Sequence, residues 1–177
     1  MKKLLLTISF ISFFLITPAH ASHNYSMNVK NITKHYNMWL IRTDSSCMYD
    51  TGADKYQLKP GQNIKVALED ANPAFGTCLN AVKFVKWTVK MEPTALGMKS
   101  YEGGVGFYHY LQNKKWYTQL PIKPAYNITN GSSLFSEVSC SHQLCSTSGI
   151  PSGKYDNDLY ITSFSEVDVS PCLFTEY

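Results

Sequence analysis

The chain has 177 residues, which is enough for one domain with a sizeable hydrophobic core. It contains 16 Lys and Arg against 13 Asp and Glu, a net charge of +3 at neutral pH. So small a basic excess argues against a general nucleic-acid-binding protein, and no stretch beyond residue 21 is long and apolar enough to predict a membrane-spanning segment.

The first 21 residues have the three parts of a secretory signal peptide. Two lysines follow Met1, the run 4–16 is mostly apolar, and Ala19-His20-Ala21 provides the small residues that a signal peptidase reads. We therefore expect cleavage after Ala21 and a mature domain of residues 22–177 that is secreted or periplasmic. The short Lys-Lys start favours a bacterial source.

Beyond residue 21, aromatic and β-branched residues are frequent and turn residues recur at short intervals, a pattern typical of an all-β sandwich or barrel. The first predicted strands are 27–33, with an irregularity at Asn31, then 38–41 and 64–68, with a turn at 59–62. A strand, a Trp-containing strand and a Leu-x-Pro-Gly turn follow one another in this region. That order resembles the secreted sandwich proteins of the thaumatin-like and aegerolysin families, and the resemblance implies a sandwich fold.

The polar stretch 42–55 contains Asp50-Thr51-Gly52-Ala53-Asp54, which resembles the active-site motif of retropepsin-type aspartic proteases. Those enzymes place two carboxylates side by side to share one proton, so the resemblance implies a homodimer in which each copy supplies Asp50, Thr51 and Gly52. The segments 103–107 and 95–97 resemble two later elements of that family, but they occur in the reverse order. An exposed Asp-Thr-Gly turn is the alternative, and we expect Asp50 not to be catalytic.

The strongest predicted strand is 82–91. Its apolar side chains at 85, 87, 89 and 91 alternate with Lys86, Thr88 and Lys90, which indicates one buried and one exposed face. Val82 and Phe84 are out of phase with the apolar set, so we expect a β-bulge near Phe84.

Two hairpins are predicted next, 104–111 with 116–120 and 125–129 with 134–140, and the last strand is 158–164. The total is eight or nine strands without a helix, so the sequence predicts a single-domain antiparallel β-sandwich. His109 is expected on a polar strand face.

The first hairpin and the strand 82–91, which we call the lysine strand, are predicted to form a candidate binding surface. Its predicted members are Tyr108, Tyr110, Trp116, Tyr117, Lys86 and Lys90. Tyr and Trp combine a large contact area with a polar tip, which suits a sugar or a protein partner. The alternatives are ordinary core and cross-strand packing for the aromatic residues and solubility of a strand face for the lysines.

All five cysteines lie beyond residue 21, and an oxidising compartment favours disulfides. We expect Cys47–Cys78 first and Cys140–Cys145 second. An odd number leaves one thiol free or paired with another chain. The alternative is a zinc site formed by Cys140, His142 and Cys145.

Acidic residues at 156–158 and 166–168 could bracket a calcium ion, but they match no complete calcium-binding loop. We therefore expect no metal and no cofactor. The leading hypothesis is an exported, non-enzymatic protein that binds a partner protein or a glycan. The alternatives are the homodimeric aspartic protease and a membrane-surface or pore-forming module, in which exposed aromatic residues and lysines meet lipid headgroups.

Overall fold

The computed structural model describes residues 22–73, 75–126, 133–140, 143–152 and 159–165, and within these residues the protein is all-β, without helices. The predicted signal peptide lies outside the described residues. The strands are β1 (Asn24–Lys30), β2 (Tyr36–Ser46), β3 (Met48–Asp50), β4 (Lys55–Leu58), β5 (Asn63–Asp70), β6 (Lys83–Pro93), β7 (Tyr101–Gln112), β8 (Lys115–Gln119), β9 (Ile122–Tyr126), β10 (Ser133–Cys140), β11 (Gln143–Leu144), β12 (Ile150–Pro151) and β13 (Leu159–Ser165). Eight or nine strands were predicted and these ranges contain thirteen, of which four (β3, β4, β11 and β12) have four residues or fewer.

Hydrogen bonding links the strands in the order β3-β5-β1-β13-β10-β9-β7-β6-β2-β4, with β8 beside β7, β12 beside β8 and β11 beside β10. The pairs are antiparallel except for β1 with β13, which is parallel. The two halves of this path pack on one another as a β-sandwich. Contact between the layers is direct, since the rings of Tyr25 in β1 and Phe107 in β7 lie 4.7 Å apart.

The core lies between the layers and follows the predicted alternation. Val85, Trp87, Val89 and Met91 of β6 are all buried, and they meet Tyr25, Met27 and Val29 of β1 in one hydrophobic cluster. Because successive side chains of a strand point to opposite faces, the residues between them face solvent. The predicted split of the lysine strand into a buried and an exposed face is confirmed.

Two local predictions for β2 and β6 are wrong. The irregularity lies in β2, between Arg42 and Asp44, and β6 pairs with β7 without interruption. Phe84 is therefore not displaced by a bulge; it belongs to the outer face. The predicted strand 38–41 is also too short, because β2 continues through Arg42 to Ser46 and keeps its backbone bonds to β6.

The first predicted hairpin is confirmed. β7 and β8 pair from Tyr108 opposite Gln119 to Gln112 opposite Lys115. The two connecting residues, Asn113 and Lys114, both have positive φ (50° and 61°), as the tight turn of a two-residue hairpin requires. In the second hairpin β9 pairs with β10, and its turn, including Asn130-Gly131, lies outside the described residues.

β1 ends at Lys30, so the predicted continuation of the first strand through Asn31 to Thr33 is wrong, and Asn31 lies where the chain leaves the strand. Its side chain is fully buried and donates to the carbonyls of Tyr36 (2.8 Å) and Leu58 (3.0 Å), and it accepts from the hydroxyl of Thr33 (2.6 Å). These bonds satisfy backbone groups where the chain leaves one layer for the other.

Both predicted disulfides are present, Cys47–Cys78 and Cys140–Cys145. The second uses both sulfur atoms of the alternative zinc site, so that alternative is wrong. Cys172 and His142 lie outside the described residues. Among the described residues no helix is long and apolar enough to cross a membrane.

Candidate functional site

Five of the six residues predicted to form a binding surface share the outer face of the layer that contains β6 and β7. They are Lys86, Lys90, Tyr108, Tyr110 and Tyr117. The sixth, Trp116, lies on the opposite face, because it pairs with Leu111 while Tyr117 pairs with Tyr110. Its ring stacks on His109 (4.6 Å between centroids, 3° between planes), so Trp116 does not share a surface with the other five residues.

The outer face contains a groove of about 270 Å³. Gly104 and Gly106 of β7 form its floor. Lys86, Tyr108, Pro121 and Lys123 are among the residues that line it, and Ile122 adds apolar surface. The groove exists because β7 has two glycines where side chains would otherwise project between β6 and β9.

The side chains of Tyr108 and Pro121 leave little room for a side chain at Gly106. A Cβ atom there would lie 2.7 Å from Cε2 of Tyr108 and 3.3 Å from Cγ of Pro121. A side chain at this position would push the Tyr108 ring out of place and fill the groove. Tyr108 also stacks on Phe84 of β6, with 5.5 Å between ring centroids, so its position is held from both sides.

The two lysines of the groove differ in their surroundings. Lys86 Nζ lies 3.0 Å from Asp44 Oδ2 and 4.5 Å from the centre of the Phe84 ring, and the hydrogen bond to Asp44 raises the pKa of Lys86. Lys123 is exposed and forms no ion pair with any residue that the structure describes. Lys86 is thus a cation held in place, and Lys123 is a cation that can turn toward an anionic ligand.

The remaining predicted residues lie outside this groove. Lys90 is 3.7 Å from Glu102 Oε2 and belongs to the neighbouring part of the sheet. Tyr110 and Tyr117 stack on each other at 5.9 Å, and a Cβ atom at Gly149 would fall 2.5 Å from the Tyr110 hydroxyl. The chain near Gly149 therefore covers part of this tyrosine pair.

The Asp-Thr-Gly motif forms a turn at the end of β3. Asp50 is exposed, and its Oδ1 accepts a hydrogen bond from the amide of Gly52 (2.8 Å), whose φ of 69° suits glycine. Arg42 binds Thr51 and Asp54 on either side. Glu69 of β5 lies opposite Asp50 in the strand register. The local geometry is that of an Asx turn, in which the Asp50 carboxylate accepts from the amide two residues later. That Asp50 is not catalytic stays a prediction.

A buried polar cluster lies between the layers, and no sequence pattern predicts it. Lys83 is fully buried, and its Nζ donates to the carbonyls of Ala81 (2.9 Å) and Cys78 (3.2 Å) and contacts the Trp116 ring at 4.5 Å. Burial lowers the pKa of Lys83, while the charge of Asp70 opposes this effect.

His109 was expected on a polar strand face, and this prediction is wrong, because the residue is only 5% exposed. Its Nδ1 lies 3.2 Å from the hydroxyls of both Thr118 and Ser152. Burial lowers its pKa to about 3, and the positive charge of Lys83 adds to that effect. The alternation of the strand could have indicated this burial, because His109 is two residues from the buried Phe107 and therefore lies on the same face.

Ser152, His109 and Asp70 are the residue types of a hydrolase triad, but their geometry does not fit one. His109 Nε2 is 3.9 Å from Asp70 Oδ2, too far for a hydrogen bond. Asp70 instead accepts from the Tyr25 hydroxyl (3.1 Å) and from the backbone amide of His23 (2.7 Å). A histidine with a pKa near 3 is also a weak base at neutral pH. The cluster is a hydrogen-bonded part of the core.

No group of three or more His, Cys, Asp and Glu side chains is placed to hold a metal ion within the described ranges. The acidic residues at 156–158 and 166–168, which were considered for a calcium site, lie outside the described residues. The outer-face groove is therefore the candidate functional site.

No protein-family model matches this chain, and neither the curated proteins nor the solved structures contain a significant match.

Proposed function

We propose that this chain is an exported, non-enzymatic binding protein whose outer-face groove holds an acidic carbohydrate. One observation carries the proposal: a groove floored by two glycines brings the Tyr108 ring together with Lys86 and Lys123. The proposal narrows the broader expectation of a partner protein or glycan to the ligand class that suits these groups.

The groove supplies the kinds of contact that a sugar ring uses. Sugar rings have apolar C–H faces that pack on aromatic rings, and their hydroxyl groups need hydrogen-bond partners. Tyr108 offers both an aromatic surface and a hydroxyl, while Pro121 and the glycine backbone offer a small apolar floor. Lys86 and Lys123 add two cations, which favour a sugar that carries a carboxylate or a sulfate.

Export is part of the same proposal. The two disulfides are compatible with an oxidising compartment, where such bonds persist. The predicted signal peptide supports the same route. Glycans of cell envelopes and host surfaces are found in those compartments, so an exported lectin-like domain would meet its ligand there.

The test is a binding measurement on the exported protein against an array of neutral and acidic oligosaccharides, followed by titration calorimetry on any sugar that binds. We expect Tyr108→Ala and Lys123→Ala each to weaken binding about tenfold or more, since a hydrogen bond to a charged group contributes roughly 1.5–3 kcal/mol. Lys90→Ala is the matched control, because Lys90 lies on the same strand and face as Lys86 but outside the groove.

Two outcomes would contradict this function. No binding to any acidic oligosaccharide would remove the ligand class. Equal losses in Lys90→Ala and Lys123→Ala would show that net charge, and not the groove, is responsible. Circular dichroism of each variant checks that the fold is retained.

A further inference from the structure

The loop between β5 and β6, residues 71–82, exposes three apolar side chains to solvent. Phe75 is 85% exposed, Val82 48% and Leu79 44%. Single exposed apolar residues are common on protein surfaces, but three within eight residues of one loop place much apolar surface in water, which a partner would cover.

This loop is fixed at several points. Cys78 is bonded to Cys47 at the end of β2, and the amide of Ala71 donates to the carbonyl of Cys47 (2.9 Å). The amide of Asn80 donates to Asn72 Oδ1 (3.0 Å), and the buried Lys83 ammonium holds carbonyls of the same loop. The apolar side chains are therefore presented by a braced scaffold. A loose segment could instead fold back and bury them.

Two lysines lie at the same end of the molecule. Lys83 pairs with His109 and β7 continues to Gln112, so residues 110–112, the two-residue turn and the start of β8 extend past the start of β6. Trp116 of that hairpin contacts Lys83 Nζ at 4.5 Å, and this same nitrogen binds the loop carbonyls. Lys114 and Lys115 occupy the exposed tip beside Trp116.

We propose that this end of the molecule is a lipid-binding surface, in which Phe75, Leu79 and Val82 enter the headgroup region of a bilayer and Lys114 and Lys115 contact anionic headgroups. Aromatic and aliphatic side chains partition into that region, and lysines near an anionic leaflet are attracted to it. The surface is separate from the outer-face groove, which lies on the face of the sheet, so either can fail without the other.

A bilayer fits this surface better than a protein partner does. A stable protein interface needs about 800 Å² on each partner, usually over a broad and complementary face. The apolar residues here belong to one loop, and the two lysines belong to the hairpin tip at the same end of the molecule. A fluid headgroup layer can surround these side chains without having a surface of complementary shape.

The experiment is co-sedimentation of the full exported protein with vesicles of phosphatidylcholine alone and of phosphatidylcholine mixed with phosphatidylserine. We expect binding that is stronger to the mixed vesicles and that weakens in high salt. Phe75→Ser should lower the partition coefficient about tenfold or more on both compositions. Lys114→Gln and Lys115→Gln should each lower it about fivefold on the mixed vesicles only.

Leu96→Ser is the matched control. Leu96 is fully exposed, but it lies in the β6–β7 loop at the opposite end of β6. This variant should bind vesicles like the wild type. The proposal is overturned if the wild type fails to sediment with either composition, if Phe75→Ser binds as well as the wild type, or if Leu96→Ser loses as much binding as Phe75→Ser. A loop that docks on a protein would give the first of these results.

Discussion

Acid is expected to destabilise this fold through His109. Its buried imidazole has a pKa of about 3, against an ordinary value of 6.5. In the unfolded chain the ring regains the ordinary pKa, so between these two values the unfolded chain binds a proton that the native state excludes. The free energy of unfolding therefore falls as the pH drops from 6.5 toward 3, and this contribution is fully present above 6.5.

The magnitude follows from the two pKa values. Their difference corresponds to about 5 kcal/mol once the pH reaches 3, and to about 3 kcal/mol between pH 7 and pH 4. The groups around the ring include both signs: Asp70 would stabilise an imidazolium ion, whereas Lys83 and a protonated His23 would oppose it. A loss of 3 kcal/mol is a large part of the 5–15 kcal/mol that holds a domain of this kind together.

The assay is urea unfolding of the wild type and of His109→Gln at a series of pH values from 4 to 8. Glutamine is neutral throughout this range and can still donate or accept a hydrogen bond near Thr118. Carboxylates titrate in both proteins, so the difference between the two curves isolates His109. We expect the wild type to lose about 3 kcal/mol more than the variant between pH 7 and pH 4.

Parallel curves for the two proteins would refute this reasoning. So would a nuclear magnetic resonance titration that finds the His109 ring of the native protein protonating near pH 6.5. The second measurement remains decisive if His109→Gln does not fold.

Three further predictions concern other parts of the chain. Replacing the Cys47–Cys78 bridge by serines should cost about 4 kcal/mol of unfolding free energy by chemical denaturation, and replacing Cys140–Cys145 about 2 kcal/mol, because the first closes the longer loop; equal costs would contradict this. Asp50→Asn should change the free energy of unfolding by less than about 1 kcal/mol, and neither the wild type nor the variant should cleave peptides. Inhibitor-sensitive cleavage by the wild type, absent in the variant, would make the protease hypothesis correct. Intact-mass analysis of the protein recovered from an expressing cell with a secretion pathway should find a chain that starts at Ser22 or within two residues of it. A retained Met1 would show that the signal-peptide prediction is wrong.

Local patterns were sufficient for much of the fold. The period-two alternation at 85–91 assigns one face of β6 to the core, since each strand residue points away from its neighbours. Turn residues between β-rich runs predict the β7–β8 hairpin, and the spacing of the cysteines beyond residue 21 favours both disulfides. Strand alternation and turn residues are local properties of the sequence, and only cysteines can form a disulfide.

Tertiary structure alone decided which groups meet. The hairpin register places Trp116 on the core side and Tyr117 on the outer side, a difference that composition cannot reveal because both residues suit either face. Lys83 is buried because the loop 71–82 folds over it and supplies carbonyl partners, and those partners come from backbone whose path the sequence does not specify. The groove likewise needs β6, β7 and β9 side by side, since Gly104 and Gly106 make a cavity only where neighbouring strands provide walls. Hydrophobic periodicity specifies a strand's faces, but long-range pairing determines what each face contacts.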